Sequence, residues 1–561
     1  MRRLMRKAVW LVLFPLALAP LPALAASPAA QRAAEAITKD SLQAPIRFLA
    51  DDLLEGRGPA TRGDKLTQLY LASNLQYLGF APGAGAGGYI QPFDIVGITA
   101  GVPKTWDFKK GGSSLTLKSW DQFIAASGVQ KETAVIGGSG EGAEVVFVGY
   151  GIQAPEYKWD DYKGMDLKGK VLLMMNNDPD WDPKLFEGKR RLYYGRWDYK
   201  YESAARQGAA SAIIIHTAPS AGYGWQVVQN SWTGEQFELP DEGKPRIQVA
   251  AWTTEDAAKE LAKLGGFDLD ILRKQAQSRD FRPVPLGVTT ALTLTNKIQK
   301  AQTANVAGLL PGSDPKLKGE VVIYSAHHDH LGIGEPDKSG DKIYNGAVDN
   351  AAGVAQVLAI AKAFAALPEK PKRSILFLLV AGEEQGLLGS EYYARHPTFP
   401  PGKIAADINY DGGNIFGRTT DLTYIGLGKS SLDKVVKAIA TTQGRTVVPD
   451  QFPDKGFFYR SDQFSFAKIG VPAIYLDSGT HFRGKPAAWG KEQLEAWEAA
   501  HYHQPSDQLT PDWNFDGMIE DARLGFEAGL EIANDPKLPA WTPGDEFEAA
   551  RKAAVGAGSG Q

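Results

Sequence analysis

The segment from Val306 to Asp411 alternates apolar stretches of strand length with stretches of helical pattern. The apolar stretches read EVVIYSA, RSILFLLVA and IAADINYD, and the longest helical stretch reads NAAGVAQVLAIAKAFAAL. Strands that are apolar throughout lie in sheets that are buried on both faces, and helices provide this cover in α/β folds. The alternation therefore predicts an α/β domain with a buried central sheet.

Charged and polar residues follow directly on these three strands. The first strand runs into SAHHDHLG, which contains His327 and Asp329. The second runs into Glu383 and Glu384, and the third ends at Asp411. Ligands of open α/β sheets bind beyond the carboxyl ends of the strands. We therefore expect these side chains to meet in one site.

Glu383 and Glu384, at the end of a buried strand, repel each other and lose water, which is costly unless a cation balances them. The N-terminus of the following helix could balance them in part, and a bound dication would do so more fully. NGAVDNAAG contributes Asp349 just before a helix, and HYHQPSD contributes His503. Each motif alone also fits a solvated strand end or a helix-cap turn. Together they offer the imidazole and carboxylate ligands of a catalytic zinc site.

The sequence contains no cysteine and has a formal net charge of −4 at pH 7. Disulfides, thiolate metal ligands, a catalytic cysteine and a lipid-modified N-terminal cysteine are therefore excluded. The mild acidity argues against nucleic acid as a partner and is typical of a soluble protein. A metal ion would have to be held by His, Asp and Glu side chains.

The N-terminus has the three parts of a secretory signal peptide. MRRLMRK is followed by an apolar run from Ala8 to about Leu21 and by Ala23-Leu24-Ala25. A membrane anchor is the alternative, but a run of roughly 14 residues is shorter than the roughly 20 that a spanning helix needs. Cleavage after Ala25 would remove four positive charges and take the net charge from −4 to −8. The predicted location is the periplasm or the exterior of the cell.

The chain is too long for a single hydrophobic core, because cores stop growing at about 250 to 300 residues. The segment from Gln31 to Gly79 reads as largely helical. From Gly101 to about Pro285, short apolar runs such as EVVFVGYGI and SAIIIHT alternate with turn residues. We therefore expect two or three cores, one of them in a compact β-rich domain.

Five motifs stand in the order and spacing of a known family: AHHDHLG, GAVDNAAG, GEEQGLLGS, NYDGG and YHQPSD. The chain resembles the di-zinc (co-catalytic) aminopeptidases, which are related to glutamate carboxypeptidase and the transferrin receptor ectodomain. SDQFSFAKIGVPA and the early LADDLLEGRGPATRGDKLTQLYLASNLQYLGF are also similar to that family. The resemblance implies a phosphorylase/hydrolase-like α/β fold, in which a mixed central sheet has helices on both faces. It also implies an inserted β-rich protease-associated domain.

The signal peptide and the resemblance together predict how the chain is divided. The predicted parts are a signal peptide (1–25), the first part of the catalytic domain (26–119), the protease-associated domain (120–290), the second part of the catalytic domain (291–540) and a C-terminal tail (541–561). The end of the tail, after Ala554, is rich in small residues and is expected to be mobile.

The resemblance also implies two zinc ions and the residues that hold them. His327, Asp349 and Asp411 would hold one ion. Glu384, Asp349 and His503 would hold the other, so that Asp349 bridges the two. The remaining histidines match no ligand position and are expected at the surface, in loops or in pocket walls: His216, His328, His330, His396, His481 and His501.

Further roles follow from the same resemblance. Glu383 would be the general base that moves a proton from water to the leaving amine. Asp329 would orient the ligand histidine before it, and Tyr502 would donate a hydrogen bond to the oxyanion. The peptide bond after Asp349 is expected to be cis or strained. The chain has Gln463 where relatives often have a histidine, which should affect the shape of the pocket more than metal binding.

The predicted reaction is hydrolysis of the N-terminal peptide bond of peptides that have a free N-terminus. A site made mainly of carboxylates favours an ammonium group, whereas a carboxypeptidase needs arginines for a carboxylate. Arg460 and Arg483 lie near the motifs, so a carboxypeptidase stays an alternative. A non-peptide amidase or deacylase, a non-catalytic binding scaffold and a glutaminyl cyclase are further alternatives. Neither nucleic acid nor stable membrane insertion after signal cleavage is expected.

Overall fold

A computed structural model describes residues 27–138, 140 and 142–558 of the chain. The predicted signal peptide, residues 1–25, lies outside the described residues. The strands, in chain order, are β1 (Ala81–Pro82), β2 (Ile90–Gly101), β3 (Thr105–Lys110), β4 (Ser113–Lys118), β5 (Phe123–Ser127), β6 (Thr133–Ile136), β7 (Ala143–Phe147), β8 (Gln153–Ala154), β9 (Trp159–Asp160), β10 (Val171–Met175), β11 (Ser211–His216), β12 (Glu235–Glu238), β13 (Val249–Thr254), β14 (Val284–Thr290), β15 (Leu292–Leu310), β16 (Val321–His327), β17 (Gly332–Ile333), β18 (Ile343–Tyr344), β19 (Ser374–Val380), β20 (Ile404–Asn409), β21 (Asp421–Ile425), β22 (Thr446–Pro449) and β23 (Ala473–Ser478).

The α-helices surround the two main sheets. In chain order they are α1 (Pro28–Ala34), α2 (Lys39–Leu49), α3 (Arg62–Tyr77), α4 (Trp197–Arg206), α5 (Ala218–Ala221), α6 (Trp225–Ser231), α7 (Glu255–Leu264), α8 (Leu269–Ala276), α9 (Gly353–Ala365), α10 (Leu388–Arg395), α11 (Asp433–Thr442), α12 (Gln463–Lys468), α13 (Trp489–His501), α14 (Asp516–Asn534) and α15 (Glu548–Gly558). No helix in the described part of the chain has both the length and the apolar composition that a membrane-spanning helix needs.

Within the described residues, eleven strands form the first sheet. Nine of them follow the order β12-β2-β15-β19-β16-β20-β23-β21-β22, and β1 and β6 pair with β15. β16 pairs in parallel with β19 and with β20, whereas β15 is antiparallel to β2 and to β19. The sheet is therefore mixed, as predicted.

Helices cover both faces of the first sheet. On one face, α9 and α14 pack in the same core as Val322 and Tyr324 of β16. On the other face, Ile323 of the same strand packs with Tyr393 of α10 and Phe466 of α12. Consecutive side chains of a strand point to opposite faces, so this cover buries the whole strand. The predicted α/β architecture is confirmed.

The N-terminal helices α1, α2 and α3 pack on the first of these faces. Ile37, Leu42 and Leu71 are fully buried in the same core as α9 and α14. Thr38 caps α2 by accepting a hydrogen bond from the backbone of Ser41 at 3.2 Å. The largely helical start that the sequence predicts is confirmed.

In the part of the chain that the structure describes, the second sheet has eight strands in the order β4-β3-β14-β7-β10-β11-β13-β5. We call residues 105–290, from β3 to β14, the insertion. This sheet begins at Thr105, ahead of the predicted boundary at 120, because β3 pairs with both β4 and β14. Trp106 and Phe108 of β3 are buried in the core of the insertion, which explains why the hairpin belongs there.

Two strands of the insertion belong to the first sheet. β6 pairs with β15, and β12 pairs with β2 from Glu235 to Glu238. β15 is long enough to pair with β6 near Leu292 and with β19 near Leu310. The insertion is therefore hydrogen-bonded into the edge of the first sheet.

A buried ionic cluster lies inside the insertion. Nζ of Lys200, in α4, donates to the carbonyl oxygens of Tyr150 and Asn177 at 2.5 and 3.0 Å. Burial lowers the pKa of Lys200 to about 7, although Asp178 and Asp161 oppose this. Burial also raises the pKa of each of these aspartates to about 7. The three groups compensate one another where water is excluded.

Residues 541–558, which the sequence assigned to a tail, pack against the rest of the molecule. Trp541 and Phe547 are buried in the same core as the insertion. Nη1 of Arg551, in α15, donates to the carbonyl oxygen of Ile404 at 2.9 Å. The tail prediction is therefore wrong up to residue 558, because it neglected these aromatic and arginine side chains. Residues 559–561 lie outside the described part.

Candidate metal centre

Three strands of the first sheet end at the same edge. β16 ends with His327, β19 is followed by Glu383 and Glu384, and β20 is followed by Asp411. β16 is parallel to both of the other strands, so their carboxyl ends lie side by side. The structure thus brings together the residues that the sequence placed at strand ends.

Asp349 lies in the helical turn Ala347–Ala352, just before α9. Its backbone N–H and that of Val348 donate to the carboxylate of Asp507 at 3.0 and 2.9 Å. The Asp349–Asn350 peptide bond is cis, as predicted. Asp507, which the sequence analysis did not single out, therefore holds the turn that presents Asp349.

A first set of donor atoms surrounds His327. Its Nε2 lies 3.2 Å from Oδ1 of Asp349 and 3.3 Å from Oδ1 of Asp411. One ligand atom from each of the three residues lies within 4.8 Å of the others. Three buried donors at this separation can surround one cation.

A second set of donor atoms lies on the other side of Asp349. Nε2 of His503 is 3.2 Å from Oδ2 of Asp349 and 3.1 Å from Oε2 of Glu384. Asp349 therefore faces His327 with one oxygen and His503 with the other. This is the geometry that a bridging carboxylate needs.

His330 also contributes a donor atom to the second set. The sequence did not indicate this role. Its Nδ1 lies 2.6 Å from Oε1 of Glu384, and its ring is fully buried. The ring centre is 5.6 Å from that of His503. The expectation that His330 lies at the surface, in a loop or in a pocket wall misses this ligand contact. The third histidine of AHHDHLG was the available signal, but spacing alone does not show which of the three turns towards Glu384.

Asp329 connects two of the strand ends. Its carboxylate accepts hydrogen bonds from the backbone N–H groups of Glu383 and Glu384 at 3.1 and 3.4 Å. Nδ1 of His327 lies 3.2 Å from the backbone oxygen of Asp329 and 3.7 Å from its carboxylate. Asp329 thus holds the imidazole mainly through its backbone, and its carboxylate fixes the turn that carries the two glutamates.

Negative charge dominates the site, as the histidines show. Burial lowers the pKa of His327, but Glu383 and Asp411 outweigh this effect and raise that pKa well above its usual value. Burial likewise lowers the pKa of His503, yet Glu384 and its neighbours raise it to about 10. Both imidazoles therefore lie in a strongly negative field that would attract cations.

The carboxylates of the site differ in their surroundings. Burial raises the pKa of Glu383 well above its usual value; Asp411 and Glu384 add to this, while His327 opposes it. Burial also raises the pKa of Asp462 to about 7, and neither of its carboxylate oxygens has a hydrogen-bond partner among the described residues. Glu383 and Asp462 therefore lose their protons readily only when further positive charge lies nearby.

The donors present fit zinc or a similar first-row ion. Nε2 of His503 is buried and makes no hydrogen bond within the described chain, although two carboxylate oxygens lie 3.1 and 3.2 Å away. A nitrogen aimed between carboxylates in this way is satisfied by a shared cation. Imidazole and carboxylate donors without thiolate are typical of catalytic zinc sites.

The insertion holds His503 in place. Nδ1 of His503 lies 2.8 Å from Oγ of Ser231, and its carbonyl oxygen accepts a hydrogen bond from Asn230 at 3.0 Å. The backbone of His503 is left-handed, with φ of 55°, which is uncommon for a residue with a side chain. α6 of the insertion therefore fixes both the ring and the backbone of a candidate ligand, a contact that the sequence analysis did not anticipate.

Tyr502 places its hydroxyl group at the edge of the site. The hydroxyl accepts a hydrogen bond from Nη2 of Arg460 at 3.0 Å, and the ring centre lies 4.0 Å from that of His503. Burial raises the pKa of Tyr502 well above its usual value, so the hydroxyl keeps its proton for donation. Arg483, the other arginine noted in the sequence, instead donates to the carbonyl oxygen of Thr419 at 3.3 Å.

Two cavities open onto this edge of the sheet. The larger, of about 400 Å³, lies between the first sheet and the insertion and reaches Glu383, Glu384, Tyr502 and His503. The smaller, of about 180 Å³, borders Asp349, Glu383 and Asp411. Its wall is largely apolar and consists mainly of Ile415, Phe416, Phe452, Phe457, Tyr475, Leu494 and Trp497.

Arg57 ties the N-terminal segment to the site and was also missed. It is buried, and its guanidinium donates to the carbonyl oxygens of His328, Asn345 and Gly346 at 2.8, 2.6 and 3.0 Å. These carbonyls belong to the loops that follow His327 and precede the Asp349 turn. Burial lowers the pKa of Arg57 to about 10. The available signal was its position in the early family-like stretch LADDLLEGRGPA.

The other histidines and Gln463 lie outside the donor sets. His216 and His328 are buried, and their Nε2 atoms lie 3.1 Å from the carbonyl oxygens of Tyr223 and Ala304. His396 and His481 are exposed, and His501 is half-buried. Gln463 is fully buried, accepts a hydrogen bond from Asn409 at 3.0 Å and lines neither of the two cavities.

Comparison with known proteins shows that the part of the chain with the donor residues matches a described family. Residues 305–526 match peptidase family M28, and this range includes His327, Asp349, Glu384, Asp411 and His503. The chain is 26% identical over 266 residues to "probable leucine aminopeptidase 2" of Aspergillus oryzae, which covers 44% of this chain and 48% of that protein. It is 28% identical over 229 residues to "Leupeptin-inactivating enzyme 1" of Streptomyces exfoliatus, which covers 40% of this chain and 47% of that protein. The chain spans about half the length of these relatives.

A solved structure resembles most of the chain. The aminopeptidase from Aneurinibacillus sp. strain AM-1 superposes with a TM-score of 0.55 at 19% identity. The superposition covers 91% of this chain and 97% of that one. At this level of identity the likeness concerns the fold.

Proposed function

We propose that the chain is a zinc-dependent aminopeptidase that hydrolyses the N-terminal peptide bond of peptides, since residues 305–526 match peptidase family M28. The contacts of Asp349 carry this proposal, since its two oxygens face His327 and His503 at 3.2 Å each. The name of one relative, "probable leucine aminopeptidase 2", agrees with such an activity.

Two zinc ions are proposed to share Asp349. His327 and Asp411 would complete one ligand set, and Glu384 and His503 the other. When bound, such ions act as Lewis acids that polarise the substrate carbonyl and lower the pKa of water. Asp329 and the insertion would keep the two imidazoles oriented.

Glu383 is proposed as the general base. It lines both cavities, and its Oε2 lies 3.9 Å from Nε2 of His327. Burial, together with Asp411 and Glu384, raises its pKa, so the carboxylate readily accepts a proton. It would take this proton from the attacking water and pass it to the leaving amine.

Tyr502 is proposed to stabilise the oxyanion of the tetrahedral intermediate. Its hydroxyl already accepts a hydrogen bond from Arg460, so its own proton is free to point into the cleft. The contact with the guanidinium also polarises the hydroxyl and strengthens its donation. A donor that is fixed before the reaction costs no reorganisation when charge develops.

The direction of cleavage is inferred from the smaller cavity. Its apolar wall would take the side chain of an N-terminal residue, while five acids, among them Asp349, Glu383 and Asp411, line it together with one arginine, Arg460. These carboxylates would attract the ammonium group of a free N-terminus. Peptides with a free N-terminus are therefore the proposed substrates.

The insertion is proposed to be a protease-associated domain that bounds the cleft. The proposed division assigns residues 26–104 and 291–540 to the catalytic domain and residues 105–290 to the insertion, which moves the predicted boundary from 120 to 105. Its α6 contacts His503, and the larger cavity lies along it. A periplasmic or secreted location is proposed from the N-terminal signal sequence.

The test uses one peptide sequence in two forms, with either the N-terminus acetylated or the C-terminus amidated. We expect release of the N-terminal residue from the amidated form and no cleavage of the acetylated form. Exhaustive chelation should abolish the release, and added zinc should restore it.

Other outcomes would support the alternatives. Trimming of only the acetylated peptide, at its free C-terminus, would contradict the proposal and favour a carboxypeptidase. Cleavage of N-acylated arylamides but of neither peptide would favour an amidase. Zinc binding without hydrolysis of any of these compounds would favour a binding scaffold.

A further inference from the structure

Several cations line the larger cavity, and most of them are paired with acids of the same wall. Arg246 lies 2.7 Å from Glu238, and Arg395 lies 2.9 Å from Glu242. These partly exposed pairs neutralise each other and leave little capacity for a ligand anion. Two further arginines, Arg196 and Arg460, line the same cavity.

Arg460 lacks such a partner. Its Nη2 donates to the hydroxyl group of Tyr502, but its Nη1 is buried and has no hydrogen-bond partner among the described residues. The negative charge of Glu498 acts on Arg460, yet Glu498 is itself paired with Lys455. The Nη1 edge of the Arg460 guanidinium therefore stays unpaired, whereas the guanidinium lies over the rings of Tyr223 and Phe457 at 5.4 and 5.2 Å.

Arg196, from the insertion, lies on the same cavity. Its side chain is 9% exposed, and its Nε is buried without a hydrogen-bond partner in the described chain. Oδ1 of Asp198 lies 4.0 Å from this nitrogen, which is beyond hydrogen-bond distance. Burial lowers the pKa of Arg196, and the positive charge of Arg460 lowers it further, although Asp198 opposes both effects.

Two buried guanidinium groups without full partners are costly unless an anion joins them. The planar N–H groups of arginine match the two oxygens of a carboxylate, and such paired, charged hydrogen bonds are among the strongest in proteins. The chemistry of this wall therefore selects a carboxylate.

The position of Arg460 indicates which carboxylate would bind. Arg460 lies 3.0 Å from the hydroxyl group of Tyr502, and an oxyanion bound by that hydroxyl would lie about 3 Å further on. The guanidinium is thus within roughly 6 Å of the reacting carbonyl, and one extended residue spans about 3.3 to 3.6 Å. The C-terminus of a dipeptide reaches this wall.

We propose that Arg196 and Arg460 form a carboxylate site that binds the C-terminus of dipeptide substrates. The inference rests on the proposed aminopeptidase function and deepens it, since it names dipeptides as the preferred substrates. The insertion then contributes a specificity residue as well as the contacts to His503.

The test compares leucyl-alanine, leucyl-alanine amide and leucyl-aspartate α-amide as substrates of the zinc-loaded full-length enzyme. We expect kcat/KM for leucyl-alanine to exceed that for its amide by roughly 10- to 100-fold, the range of one charge-assisted hydrogen bond, mainly through KM. Leucyl-aspartate α-amide should behave like leucyl-alanine amide. If it matched leucyl-alanine instead, the site would take side-chain carboxylates, and the proposal would be overturned.

Variants test whether Arg196 causes the preference for leucyl-alanine over its amide. Arg196→Gln should reduce the ratio of kcat/KM for leucyl-alanine to kcat/KM for its amide to about 3-fold or less. Arg196→Lys should retain part of this ratio because the charge is kept without the planar donors. Arg190→Gln is the matched control, since Arg190 is a more exposed arginine of the insertion, 3.2 Å from Glu187. Arg190→Gln should have the same ratio of kcat/KM values as the unmodified enzyme. Equal cleavage of the acid and the amide by the unmodified enzyme would overturn the proposal even if the variants failed to fold.

Failure of the aminopeptidase function is distinguishable from failure of this site. If no free-amine substrate is cleaved, the proposed function fails, while calorimetric titration of the zinc-loaded Glu383→Gln protein still measures binding. Tighter binding of leucyl-alanine than of its amide, by the same 10- to 100-fold, would support the carboxylate site. Equal binding of the two would overturn it.

Discussion

Glu384 lies between two imidazole rings, with Oε1 at 2.6 Å from Nδ1 of His330 and Oε2 at 3.1 Å from Nε2 of His503. Burial and Asp349 raise the pKa of Glu384, but His503 and His330 outweigh them and bring it down to about 2. Its carboxylate is therefore fixed in rotation and held as an anion before any metal binds.

We expect His330→Ala to weaken the binding of one of the two proposed zinc ions by about 10- to 100-fold, the usual effect of losing a residue that orients a metal ligand. Competition with a chelator of known affinity measures this, with zinc content checked by mass spectrometry. His396→Ala, an exposed histidine, is the control. Unchanged affinity at both sites would show that His330 does not hold Glu384.

Glu383→Gln should keep its zinc and lose about 100- to 10,000-fold in kcat, because an amide of the same shape cannot accept the proton. Steady-state rates and zinc content are measured on the same preparation. Glu260→Gln, on an exposed face of α7, should leave both unchanged. Near-normal turnover of a fully loaded Glu383→Gln enzyme would assign the base to another residue.

Tyr502→Phe is expected to lower kcat by about 100-fold with a smaller change in KM, because the lost hydrogen bond matters most in the transition state. Tyr77→Phe, at a tyrosine that is 89% exposed, serves as the control. A rise in KM with kcat unchanged would mean that Tyr502 binds the substrate without stabilising the oxyanion.

Lys200→Met should destabilise the protein by about 3 to 5 kcal/mol, because it leaves Asp161 and Asp178 buried without their cation. A carboxyl whose folded-state pKa is raised stabilises the fold at low pH and loses this contribution as the pH rises through that pKa. Both aspartates have pKa values raised to about 7, so the loss should be greater at pH 8 than at pH 6.

Urea unfolding followed by tryptophan fluorescence measures this loss at the two pH values. Lys168→Met, at an exposed lysine of the insertion, should unfold like the unmodified protein. If Lys200→Met unfolded at the same urea concentration as that control, the cluster would not stabilise the insertion.

The sequence predicts the part of the site that parallel strands align. His327, Glu384 and Asp411 each follow an apolar strand, and neighbouring parallel strands place such residues together. Asp349 lies in a turn and His503 in a loop near the C-terminal end of the chain. Strand order does not predict where such residues lie, so only the family-like motifs allowed their assignment.

Contacts between distant segments were not predictable in this way. Ser231 and His503 are 272 positions apart, and Arg57 and Asn345 are 288 apart. The sequence around Ser231 or Arg57 does not indicate which distant residue it contacts, since a single serine or arginine is compatible with many environments. The boundary of the insertion was placed at 120, behind the β3–β4 hairpin, for a similar reason, because the pairing of β3 with β14 depends on residues about 180 positions further along the chain.

The pairing of β12 with β2, and the contacts of α6 with His503, limit how this protein can be recombined with its relatives. Residues 225–238 belong to the insertion by chain order, yet they complete the edge of the first sheet and position a candidate ligand. A chimaera that exchanges the insertion as one cassette would replace these contacts with foreign ones. A functional exchange would have to leave residues 225–238 with the recipient and graft only the strands and helices on either side of them.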